Sequence, residues 1–156
     1  MFPPHLLATE RIGHRVEIAS KKRLLEVLSD LLASDDTSLN PETVFEHLLE
    51  RERLGSTGLG HGIALPHARM KEITEARGAV VLLQENVEFD AIDEQPVDLA
   101  FALLVPESAN ETHLQLLSSL ATMFSDADFR ATLRNCASAQ QMMDLFLDWE
   151  QTTDPT

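Results

Sequence analysis

The chain of 156 residues has a single cysteine, Cys136. No intrachain disulfide can form, and such cysteine usage fits a reducing compartment. Cys136 reads as a small buried apolar residue. Basic residues are also scarce: 12 Lys and Arg stand against 26 Asp and Glu, a net charge of −14. Nucleic acid is therefore not an expected partner, because phosphate backbones are gripped by clusters of Lys and Arg. Anionic membrane surfaces are disfavoured for the same reason. The longest apolar run, Leu99 to Val105, is ended by Pro106 and is too short to span a bilayer. Met1–Glu10 has neither a basic start nor an apolar stretch of secretory length. A cytoplasmic location without direct membrane insertion is expected. Hydrophobic residues at 44% and charged residues at 24% are the ordinary globular mixture, enough for one domain with a real core.

Glycine is equally sparing, yet four of the six, Gly55, Gly58, Gly60 and Gly62, fall within eight positions. Ile63-Ala64-Leu65-Pro66 then leads to His67. Glycine permits positive φ and close approach of another surface. Pro66 fixes its own φ and biases Leu65 to an extended shape, so His67 is expected at a strand end and not inside a helix.

The flanking chain reads as alternating helices and strands. Arg15–Ile18 alternates like a short strand. Ser20 caps a helix over 21–34 carrying Leu24, Leu28 and Leu31. Asn40 caps a second over 41–53, with Pro41 at its first position. Residues 78–83 and 97–105 read as strands buried on both faces. Phe89–Pro96 reads as a turn with a short edge. A long helix begins near Asn110–Thr112, with Thr112 and Gln115 as a capping box and His113, Leu117, Leu120 and Phe124 as its stripe. Helices over 126–134 and 139–150 follow, the last capped by Ser138. The expected class is α/β, one domain with a mixed sheet flanked by helices.

His67 is the first chemical candidate, since a neutral imidazole is a good nucleophile near pH 7; the alternative is a structural histidine at the core edge. His113, in a helix first turn, sits where anions are favoured, or is simply a polar first-turn residue. Arg51 and Arg53 can fork onto a phosphoryl group or serve the helix C-terminus. Glu52 can pair with a neighbour. The nucleotide loop patterns Gly-x-x-x-x-Gly-Lys-Ser/Thr and Gly-x-Gly-x-x-Gly are absent. His61, His67 and His113 with Glu52 make a weak metal alternative lacking any metal-binding spacing; no metal is expected.

Arg51-Glu52-x-Leu-Gly-Ser-Thr-Gly-x-Gly-x-Gly-Ile-Ala-x-Pro-His67 resembles the signature of the enzyme IIA domains of the fructose–mannitol type in the bacterial phosphotransferase system, most closely the nitrogen-regulatory branch. Ser20-Lys21-Lys22, Phe89-Asp90-Ala91-Ile92-Asp93-x-Gln-Pro-Val-Asp-Leu and His113-Leu114-x-x-Leu117 carry the same likeness, over about 6–148 of a single 1–156 domain. The resemblance implies that His67 accepts a phosphoryl group on Nε2, with His113 and Arg51 beside it. Thr57, Gly58, Gly60, His61, Gly62, Ile63 and Pro66 would form the surroundings and partner face, with an apolar rim from Leu59, Ile63 and Leu65. It implies a histidine-containing phosphocarrier protein as donor, charged by an enzyme I from phosphoenolpyruvate, and no cofactor beyond the phosphoryl group itself. It further implies a transferase-class phosphocarrier whose phosphorylation state regulates targets such as transporters or kinases. Alternatives are a sugar-specific IIA feeding a membrane permease, or a non-catalytic binding module. Position 61 is His where many relatives carry Glu or Asn, leaving its effect on the site open.

Overall fold

A computed structural model describes residues 5–91, 93–108 and 111–153, without the side chains of Thr112 and of 150–153. The order is a short 3-10 turn (Thr9–Arg11), β1 (Ile12–Val16), α1 (Lys21–Ala33), α2 (Pro41–Leu54), β2 (Gly58–Gly60), β3 (Ile63–Ala64), β4 (His67–Met70), β5 (Arg77–Val87), β6 (Val97–Pro106), α3 (Glu111–Ser125), α4 (Ala127–Arg134) and α5 (Ala139–Thr153). The strands form one six-stranded mixed sheet in the order β1-β5-β6-β3-β2, with β4 also on β6. β5 and β6 are antiparallel, whereas β1 runs parallel to β5, and both β3 and β4 run parallel to β6.

The continuous apolar runs of β5 and β6 follow from burial on both faces. On β6, Ala100, Ala102 and Leu104 join the core under α1 and α2, while Leu99, Phe101, Leu103 and Val105 join the core under α3, α4 and α5. On that second side Phe101, Phe124, Phe129 and Phe146 meet edge to face, and Trp149 docks on Phe129 at 5.2 Å. The Ser20 and Asn40 side chains cap α1 and α2, accepting from Arg23 N and Glu42 N.

Several expectations shift. The first strand lies earlier, at Ile12–Val16, because parallel pairing of Ile12 with Val80 sets its register. Within Phe89–Pro96 the described residues form no strand; Phe89 is fully buried and anchors a loop. The capping box falls on Thr112, whose side chain lies outside the described residues. In α3, Leu116 is buried while Leu117 is half-buried, one position off the expected stripe.

α2 is joined to the glycine segment through a buried carboxylate. Glu52, 7% exposed, accepts from Thr57 N at 3.1 Å and from Thr57 Oγ1 at 2.6 Å. Lys21, in the first turn of α1, reaches Glu52 at 2.9 Å. It also donates to the Phe89 carbonyl at 3.1 Å and lies 4.5 Å from the Phe89 ring centroid. Lys21→Met therefore leaves a buried carboxylate without its cation. The expected loss is about 2–4 kcal/mol in urea unfolding, partly restored by adding Glu52→Gln; a neutral effect of the single change would contradict this account.

Candidate phosphoryl-transfer site

β3 and β4 are one path along the same side of β6, interrupted at Leu65-Pro66. Ile63 pairs with Leu99 and His67 with Leu103, and between them the Pro66 carbonyl accepts from Leu103 N at 2.9 Å. Proline has no N–H to offer a ladder. Strand alternation then puts Ala68 and Met70 in the α1/α2 core and turns His67 and Arg69 the other way, toward α3. His113 stands in the first turn of α3, shortly after β6 ends beside β4. Its ring centroid lies 5.7 Å from that of His67, tilted by 53°.

The site sits at a sheet edge, so helices from both layers reach it. α2 contributes His47, Glu50, Arg51 and Leu54; β4 contributes His67, Ala68 and Arg69; α3 contributes His113, Leu114 and Leu117. Together they line a cleft of about 630 Å³. Arg51 also donates to the Gly55 carbonyl at 2.9 Å, so the same side chain closes the helix end and faces the cleft.

The two imidazoles are held differently. His67 is half-buried, and its Nδ1 lies 2.8 Å from the Leu65 carbonyl. A carbonyl only accepts, so Nδ1 carries the proton and Nε2 keeps its lone pair. His113 is 5% exposed, and among the described residues its Nδ1 has no hydrogen-bond partner, so none of them pins its tautomer through that nitrogen. Burial is the main cause pushing His67 below the ordinary histidine range; Arg51 lowers it further, while the Leu65 hydrogen bond and Glu52 act in the opposite sense. Burial likewise lowers His113, helped by the nearby His67 and Arg69. A lowered value means that the neutral ring persists to lower pH, so both are uncharged at pH 7.

The remaining expected residues lie elsewhere. Thr57 is bound to Glu52. Gly58 is covered by Ala91, which an added Cβ would meet at 2.6 Å. Gly60, His61 and Gly62 form the β2–β3 turn, all with positive φ (91°, 57° and 81°). His61 N donates to Asp93 at 3.0 Å, and its carbonyl accepts from Arg134, itself paired with Asp98 at 2.9 Å. Gly62 pairs near Asp98 and His67 near Leu103, so the turn is about 16 Å along β6 from His67. Exposed His61 thus does not line the cleft. Ile63 and Leu65 are buried, at 1% and 4% exposure, and cannot form a rim; Leu54 and Leu114 do so, at 84% and 63%. Among the described residues no three His, Cys, Asp or Glu side chains are grouped to hold a metal ion. No helix among them is long and apolar enough to cross a membrane. His47 and Arg69 escaped sequence reading. The available signals were His47 one turn before Arg51 and Arg69 two residues after His67, on one face of a helix and of a strand.

This geometry meets independent likeness to known proteins. The model of the phosphoenolpyruvate-dependent sugar phosphotransferase system EIIA 2 family matches residues 5–149. The chain belongs to that family. It is 47% identical over 150 residues to a nitrogen regulatory protein of Escherichia coli (strain K12), covering 96% of this chain and 91% of that one. A fructose-specific EIIA component of Haloferax volcanii is 34% identical, covering 83% and 84%. The crystal structure of nitrogen regulatory protein IIA-Ntr from Neisseria meningitidis superposes with a TM-score of 0.84 at 43% identity, covering 90% of this chain and 95% of that one. IIA mannitol of Escherichia coli shares the fold, with a TM-score of 0.73 at 23% identity, covering 89% and 97%.

In an NMR titration, His67 and His113 of this IIA domain are expected to protonate at lower pH than histidines of the urea-unfolded chain. Arg51→Ala should move the His67 midpoint upward, because a cation that opposes protonation is gone. An unchanged or lowered midpoint would contradict the assigned role of the Arg51 charge.

Proposed function

We propose that the protein is a regulatory phosphocarrier that accepts a phosphoryl group on His67 Nε2 from a histidine-phosphorylated carrier protein. The observation that supports this most is the hydrogen bond from His67 Nδ1 to the Leu65 carbonyl, which keeps Nε2 unprotonated. The Nε2 lone pair attacks phosphorus, the N–P bond of the donor phosphohistidine breaks, and its electron pair returns to the donor ring. The Nδ1 proton stays on His67, where the Leu65 carbonyl meets the positive character that the ring gains. The transferred oxygens carry close to two negative charges. Arg51 supplies a fixed cation, and His113, with its tautomer unpinned, can present an N–H to them.

Leu54 and Leu114 flank the cleft and suit a small apolar encounter with the donor, of about 1,200 Å² or less for quick exchange. The regulatory output is inferred from the nitrogen regulatory relatives: the phosphoryl group switches the charge of the partner face, and targets such as transporters or kinases read it. A second reading, passage of the group to a sugar permease, draws on the fructose-specific relative.

Intact mass after incubation with phosphoenolpyruvate, enzyme I and the carrier protein tests the chemistry. One acid-labile phosphoryl group is expected on the wild type and none on His67→Ala. His113→Ala should still be phosphorylated, about 100-fold more slowly, the cost of losing one donor to the transferring group. Uptake by His67→Ala would sink the assignment.

A further inference from the structure

Phosphoryl uptake as read above engages His67, His113 and Arg51, yet the cleft is larger than that group requires. Its volume of about 630 Å³ lies inside the roughly 300–1,000 Å³ typical of small-molecule sites. Its walls reverse the character of the chain. Three imidazoles and two guanidinium groups face one carboxylate, Glu50, in a protein where acids outnumber bases 26 to 12. The rest of the lining is apolar, from Leu54, Ala68, Leu114 and Leu117. His113, nine-tenths buried, brings a polar ring to this wall with one nitrogen lacking any protein partner.

We propose that the cleft also binds a small free organic phosphate, without covalent change. The phosphoryl end lies at His67, His113 and Arg51, and the carbon body lies against Leu54, Leu114 and Leu117. The inference rests on the reading of this cleft as a phosphoryl site. An anion alone would leave the leucines in water, and an apolar molecule alone would leave Arg51, bonded only to the neutral Gly55 carbonyl, without a counter-charge. A ligand carrying both parts satisfies both walls. Bound there, it occupies the space through which the donor's phosphoryl group must arrive. Such a ligand competes with uptake and couples the phosphorylation state to the pool of small organic phosphates.

The test uses the unphosphorylated full chain with inorganic phosphate, phenyl phosphate and phenol, followed by calorimetry and amide NMR. Phenyl phosphate is expected to bind about tenfold or more tightly than inorganic phosphate, a difference of about 1.4 kcal/mol. Phenol should bind more weakly than phenyl phosphate. Shifts should map to β4 and the first turns of α3, and phenyl phosphate should slow phosphoryl uptake from the carrier protein. Leu117→Ala should shrink the advantage of the phenyl group, and Arg51→Lys should weaken both phosphates. Equal affinity for the two phosphates, shifts mapping away from the cleft, or indifference to Arg51→Lys overturns the proposal. His67→Ala should take up no phosphoryl group and, having lost one contact to the phosphoryl end, should bind phenyl phosphate more weakly than the wild type while still preferring it to inorganic phosphate. Absent binding with normal wild-type uptake removes only this inference, whereas uptake by His67→Ala removes the acceptor assignment.

Discussion

The buried contact of Glu52 with Lys21 and Thr57 is the constraint on which the site depends. A carboxylate with 3% of its side chain exposed is tolerable only when its charge and lone pairs are met. Here a cation from α1 and two donors from Thr57 meet them. The same lysine reaches the Phe89 carbonyl. One network therefore fixes four things at once: the start of α1, the last turn of α2, the entry to the glycine segment and the loop after β5. Arg51 is the neighbour of Glu52, and its orientation toward the cleft follows from that anchoring and from its bond to Gly55. The network offers specificity of arrangement more than net stability, since an ion pair taken from water recovers little beyond its desolvation cost.

From this anchor the chemistry separates into two roles. His67 leads β4, and its Nδ1 is committed to a backbone carbonyl, which makes its outer nitrogen a lone-pair donor at any pH where the ring is neutral. His113, from the opposite layer, has no such commitment. Under the proposed function, a pair of identical side chains thus serves as a nucleophile and an adjustable hydrogen-bond donor through their surroundings alone. Placement at a sheet edge is what allows it, because only there do helices from both faces converge on one strand.

Much of this was legible from local chemistry. Ser20 and Asn40 act within three residues of their own position, so their caps can be read from sequence. The double-faced strands show as unbroken apolar runs. The proline before His67 announced a strand end. What escaped depends on partners far along the chain. β3 and β4 have two and four residues and exist because β6 pairs with them. Lys21 stood out only through its likeness to the family, and its pairing with Glu52 went unread because the two lie 31 positions apart. In α3, adjacent Leu116 and Leu117 offered the periodicity two choices, and packing buried the first while the cleft took the second. The glycines suggested the approach of another surface; Gly58 lies close under Ala91 of the same chain, and those at the β2–β3 turn serve backbone geometry away from His67. A Cβ at Gly62 would fall 2.5 Å from the end of the Arg134 side chain, which would have to move, and would be strained at φ 81°.

Under the proposed function a strongly acidic chain must carry a phosphoryl group, and local electrostatics decide what that group meets. Charges in water are screened within about 10 Å at ordinary ionic strength, so the net charge of −14 matters less to the group than its immediate lining. That lining holds Arg51 and Arg69 against Glu50. Arg51 offsets part of the proposed dianion's charge, while Glu50 and the more distant acids add to it. A phosphoryl group there therefore makes the cleft more negative than the free one by close to two charges. A partner docking on this edge, as proposed, would meet that local change within an otherwise unchanged acidic surface. For the proposed regulator, a local change of charge of that kind discriminates states without any movement of the fold.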